Sequence, residues 1–189
     1  MTKPDSMIRV DQCELLVFSM QLDMIPLLKE GASLLRDCCW LAEVSRELGV
    51  PVTLVEHLKL GERPQSLNAA AEGAARFEKD HFDSLAEPKL REVCAASPRS
   101  QVVLAGSETH VTILPTALSL QALGKEVFVV ADAISTRYAV DHEYGLRWLD
   151  RAGVTLITKE MYFFQLMSRS EDPRYLPLAR RFLDGRYLR

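Results

Sequence analysis

The sequence has no long apolar run. Its hydrophobic stretches, such as Leu15–Phe18, are of strand length, whereas a helix crossing a bilayer needs about 20 consecutive apolar residues. No membrane partner is expected. Cysteine is scarce: Cys13, Cys38, Cys39 and Cys94 contain no C-x-x-C pair, and two of the four are adjacent. That spacing fits neither a zinc site nor a disulfide framework, so free, mostly buried thiols in a reducing compartment are expected. Neither sign of charge dominates. With 23 Lys and Arg against 26 Asp and Glu, the net charge of −3 creates no strong field for nucleic acid or an anionic membrane surface. The arginines near the C-terminus, Arg174, Arg180, Arg181, Arg186 and Arg189, therefore read as a solvated helix face or an interface contact.

Also missing is an apolar stretch behind a basic start at Met1–Asp5, so no signal peptide is expected and a cytoplasmic location follows. There is no P-loop and no G-x-G-x-x-G, hence no cradle for a nucleotide phosphate and no cofactor to expect. The four histidines, His57, His81, His110 and His142, are dispersed, which argues against a metal site. Internal repeats and low-complexity segments are absent too, and 189 residues are read as one domain over 1–189.

What is present is an alternation of apolar runs and helical patterns. The expected strands are Cys13–Met20, Val52–Glu56, Gln101–Ala105, Glu126–Ala131 and Val154–Thr158. Helices are expected over Ser33–Leu48, capped by Gly49, and over Asp83–Ala95, with Asp83 as cap. Two more span Thr109–Leu123, with Pro115 in the first turn, and Asp141–Ala152. Two short helices flank Pro173, and Leu58–Arg76 reads as a long irregular excursion. Strands alternating with helices imply an α/β, Rossmann-like three-layer domain: a parallel five- to six-stranded sheet with helices on both faces. Ligands of such sheets bind beyond the carboxyl ends of the strands, here just after Met20, Glu56, Gly106 and Ala131.

Those ends carry four recognisable words. They are LLVFSMQ at Leu15–Gln21, FEKDHF at Phe77–Phe82, GSETHVT at Gly106–Thr112 and ADAISTR at Ala131–Arg137. In order and spacing, over nearly the whole chain, they resemble the isochorismatase-like (cysteine hydrolase) superfamily. The closest likeness is to the metal-free branch with isochorismatase-domain-containing proteins. The D-x-H word of the metal-binding relatives is absent.

In that superfamily an Asp at the end of the first strand acts as base toward a Cys at a helix N-terminus, and a nearby Lys favours the charged states. Carried over by position, the lysine is Lys79, the Asp position holds Ser19 and the Cys position holds Thr112. A serine hydroxyl is no general base near neutral pH, and a threonine hydroxyl without a base is a poor nucleophile. Glu108 is the first candidate substitute, and Asp23, Glu56, His57, His81, Ser107 and His110 stand close enough in sequence to approach the same pocket. The resemblance also implies a cis peptide at Ser107–Glu108, and a homo-oligomer, with Tyr138, Tyr144 and Trp148 near its contact helix. The reading these substitutions favour is an impaired enzyme that binds a small molecule; the alternatives are an active hydrolase of a small amide, ester or enol ether using substituted groups, and a structural oligomeric partner protein.

Overall fold

In the computed structural model, which describes residues 7–183, the apolar runs pair into one parallel sheet. Its strands are β1 (Cys13–Phe18), β2 (Val52–His57), β3 (Ala75–Lys79), β4 (Gln101–Ser107), β5 (Glu126–Ser135) and β6 (Thr155–Ile157). They lie in the order β3-β2-β1-β4-β5-β6. The helices are α1 (Gly31–Leu48), α2 (Gln65–Ala70), α3 (Pro88–Ala96), α4 (Leu114–Ala122), α5 (Ala139–Arg151), α6 (Lys159–Met167) and α7 (Tyr175–Phe182).

Alternation along the strands sorts the core into two faces. From β1, Leu15 and Val17 join the side packed by α1 and α6 through Leu34, Cys38, Leu41, Tyr162 and Phe163. Leu16 and Phe18 point the other way, to Leu90 of α3, Ala117 and Leu120 of α4 and Leu149 of α5. Both faces are covered, as a parallel sheet requires.

Three stretches differ from the expectations. The excursion over Leu58–Arg76 is not irregular throughout: it contains α2, whose Leu67 and Ala70 are buried, and it leads into β3. As an edge strand with mostly exposed side chains, β3 has no need of an apolar pattern; its register with β2, Thr53 opposite Ala75 through His57 opposite Lys79, comes from backbone pairing. The helix expected from Asp83 is split. Asp83 accepts from the Leu85 N–H and caps a single 3-10 turn, and α3 starts at Pro88, whose ring holds Glu87 extended. Likewise Thr109–Ile113 forms a π-turn before α4, because Pro115 lacks the N–H that would extend the α-helical ladder backwards. Arg186 and Arg189 lie outside the described residues; Arg181 pairs with Glu43 and Glu47 of α1, and Arg174 with Asp172.

One glycine holds the centre of the sheet together. Gly106 has φ +106°, and a Cβ there would lie 2.4 Å from the Phe18 carbonyl oxygen. The register between β4 and β5 shifts at the same point, between Leu104 and Gly106. Both the positive φ and the neighbouring backbone exclude a side chain. Gly106→Ala is expected to lower stability by about 3 kcal/mol or more, as the loss in urea midpoint will show; a shift under a third of that would contradict the close approach.

Candidate functional site

β1 and β4 are neighbours, yet the chain leaves β1 toward β2 and leaves β4 toward β5. This reversal opens a crevice at their carboxyl ends. A cavity of about 240 Å³ occupies it. Ser19, Lys79, Ser107, Glu108, Thr112 and Arg137 supply most of its polar lining, and Met24, Leu27, Leu60, Phe82 and Val111 its apolar walls.

Ser19 follows β1 in the left-handed region, with φ +48°. Its backbone is held on both sides: the N–H donates to the Val55 carbonyl at 2.8 Å, and the carbonyl accepts from Ser107 Oγ at 2.9 Å. Its own hydroxyl is buried and has no hydrogen-bond partner among the described residues. Gln21, two residues on, clamps the next loop. Its Nε2 donates to the His57 and Gly61 carbonyls at 2.9 and 2.7 Å, while its Oε1 accepts from the His57 N–H at 2.8 Å.

Lys79, the last residue of β3, is only 1% exposed. Its Nζ donates to the His81 carbonyl at 3.1 Å and to Thr112 Oγ1 at 3.3 Å. Both acceptors are neutral. Burial therefore pulls the ammonium down to about 8, with Glu87 and Asp83 opposing from a distance. Thr112 sits in the π-turn, where its N–H and that of Ile113 both donate back to the Glu108 carbonyl, at 2.9 and 3.1 Å. The Ser107–Glu108 peptide is cis.

Glu108 lines the cavity, but its carboxylate is engaged: Oε1 accepts from Arg137 Nε at 2.8 Å and from the Arg137 N–H at 3.3 Å. Four of the sequence candidates, Asp23, Glu56, His81 and His110, are not part of the lining. The Asp23 carboxylate packs against Gly61, where a Cβ would come within 2.7 Å of it. Glu56 is paired with Arg63, and both line a different cavity. His81 turns its exposed ring to Glu87, at 2.7 Å, and contributes only its carbonyl to Lys79. The His110 ring lies 3.9 Å from Asp141 at the start of α5. His57, by contrast, does line the cavity, and burial together with the nearby Lys79 lowers its pKa. Arg137 was in view within ADAISTR, and its pairing with Glu108 is what sequence reasoning missed. The apolar walls sit on turns between elements, where no periodicity marks them. None of the four cysteines lines the cavity; burial pushes Cys13 up to about 12 and Cys94 to about 11.

A doubly wound parallel sheet with its pocket at the switch point defines the class. A family model described as "Isochorismatase domain" matches residues 13–161, and the chain belongs to that family. It is 37% identical over 138 residues to isochorismatase domain-containing protein 1 of Danio rerio, an overlap of 71% of this chain and 48% of that protein. Against isochorismatase domain-containing protein 2 of Danio rerio it is 30% identical over 161 residues, covering 85% of this chain and 82% of the relative. The chain thus spans about half of the first relative and most of the second. Among solved structures, the MAR1 ribonuclease from Caenorhabditis elegans superposes with a TM-score of 0.87 at 25% identity, covering 95% of this chain and 94% of that one.

A buried ammonium without a carboxylate costs stability. Because its native value lies below its ordinary 10.5, Lys79's contribution to stability is fully present above about 10.5 and is lost as pH falls through about 8. Lys79→Met should therefore be more stable than wild type at pH 7, by about 1–4 kcal/mol, and the gap should narrow by pH 10. Destabilisation of the variant at pH 7, read from urea unfolding, would mean the charge is compensated.

Proposed function

We propose that the chain binds a small molecule in the cavity between Ser19, Lys79 and Thr112 and is impaired as a hydrolase. The observation that carries this reading is the absence of a free carboxylate to act as base. Lys79 Nζ meets Thr112 Oγ1, but the one carboxylate lining the cavity, Glu108, is bound to Arg137. The residue in the family's base position, Ser19, is a hydroxyl, and the N–H of Thr112 is engaged within its own turn and so turned from any oxyanion. A blocked pocket would have favoured a purely structural role; the cavity is open. Free thiols agree with a cytoplasmic setting, and no helix among the described residues is long and apolar enough to cross a membrane.

A second reading has one specific observation in its favour. Lys79 loses its proton near pH 8 and lies 3.3 Å from Thr112 Oγ1. Neutral lysine, about a tenth of the population near pH 7, would take the hydroxyl proton as Thr112 attacks a carbonyl. A panel of small amides, esters, enol ethers and an RNA oligonucleotide separates the two readings. We expect no detectable turnover by wild type, and a rate about 100-fold or more above the detection limit in Ser19→Asp/Thr112→Cys on at least one amide or ester. Wild-type turnover that rises through pH 8 and disappears in Lys79→Ala would establish the second reading instead. RNA should stay intact, since the chain carries a net charge of −3.

Self-association belongs to the same reading. Along α5, Val140, Tyr144 and Trp148 recur at i, i+4 spacing and are 57%, 61% and 61% exposed, with Tyr138 beside them. They do not pack on the sheet, and an aromatic stripe of this kind is the surface a second copy covers. Trp148→Glu is expected to reduce the solution mass measured by light scattering; an unchanged mass would remove α5 from the contact.

A further inference from the structure

We infer that the ligand of this cavity is a small apolar carboxylate, its negative group on the Lys79 ammonium and the Ser19 hydroxyl, its body against Leu60, Phe82 and Val111. The inference rests on the binding reading above and adds the chemical class of the ligand.

Charge comes first. Lys79 and Arg137 line the cavity against a single carboxylate, Glu108, and that carboxylate is committed to Arg137. Burial and the neighbouring Lys79 both disfavour a charge on His57. One positive charge is left, and it is the buried one. The acidic groups around Lys79 are engaged elsewhere. Glu87 Oε1 accepts from the Asp80 N–H at 2.9 Å and meets His81 Nδ1 at 2.7 Å. Asp83 accepts from the Leu85 N–H at 2.9 Å and from Ser119 Oγ at 2.6 Å. Two of the three N–H groups of Lys79 reach neutral oxygens, and the third is unclaimed among the described residues.

The Ser19 hydroxyl is the second, independent observation. It is buried, lines the same cavity and lacks a partner, although its backbone is held in place on both sides. Buried polar groups without partners mark positions that a bound group completes. An unclaimed ammonium N–H and an unclaimed hydroxyl together offer two donors and one positive charge, which one carboxylate satisfies. Shape and polarity limit the rest. About 240 Å³ lies below the ~300–1,000 Å³ typical of drug-sized ligands. Phe82 and Leu27, both more than half exposed, stand where an apolar body would cover them.

Calorimetric titration at pH 7 with benzoate and butyrate, against benzamide, butyramide and inorganic phosphate, tests the assignment. Each carboxylate should bind about tenfold or more tightly than its amide, and benzoate more tightly than phosphate. Lys79→Met should lose the preference for the carboxylates. Ser19→Asp keeps the lysine and places a carboxylate in the cavity, so it should lose carboxylate binding while its melting curve shows a folded protein. Amides that match their carboxylates, or phosphate that matches benzoate, overturn the carboxylate assignment while leaving the binding reading intact. Silence toward all five probes overturns the assignment as well. The claim of an impaired hydrolase falls on a different result, the Lys79-dependent turnover described above.

Discussion

A lysine ammonium buried at the end of β3, resting on a threonine hydroxyl and a backbone carbonyl, organises the carboxyl-end crevice of this protein. Moving a charge out of water is costly, and neutral oxygens return only part of that cost. Replacing Lys79 with an apolar side chain would favour the fold. Nearby carboxylates are tied to other partners, and the buried Ser19 hydroxyl has none among the described residues.

The scaffold holds that arrangement through backbone contacts. Gly106 lets β4 lie against the end of β1, which brings Ser107 Oγ onto the Ser19 carbonyl. Gln21 ties the turn after β1 to the end of β2 and to Gly61. The π-turn after β4 presents Thr112 Oγ1 to Lys79 and spends the Thr112 N–H internally. Three strand ends thus meet at one point because the sheet changes winding direction between β1 and β4. Ser19, Lys79 and Thr112, separated widely in sequence, share one pocket for that reason.

Much of the fold was legible in the sequence because buried parallel strands must be apolar on both faces: CELLVF and QVVLAGS leave little room for another reading. Edge strand β3 was not, since ARFEK buries little beyond its lysine, and its strand geometry is supplied by β2. The positions of Lys79, Ser19 and Thr112 were readable through four short words at strand ends, whereas the pairings among charged groups were not. Glu108 looked free in GSETHVT because its partner, Arg137, arrives from the end of another strand. Glu56 and His81 were drawn away by Arg63 and Glu87 in the same manner. Ion pairs depend on side-chain direction in three dimensions, and a linear pattern does not contain it.

The proposed reading therefore turns on the charge of Lys79, buried against two neutral oxygens. The most direct measurement is its titration midpoint in the unliganded protein, followed by NMR of the lysine side chain with Lys79→Met used to assign the signal. The account predicts a midpoint near 8. A midpoint at or above the ordinary 10.5 would contradict it, because the ammonium would then have a counter-charge inside the protein and no need of one from a ligand.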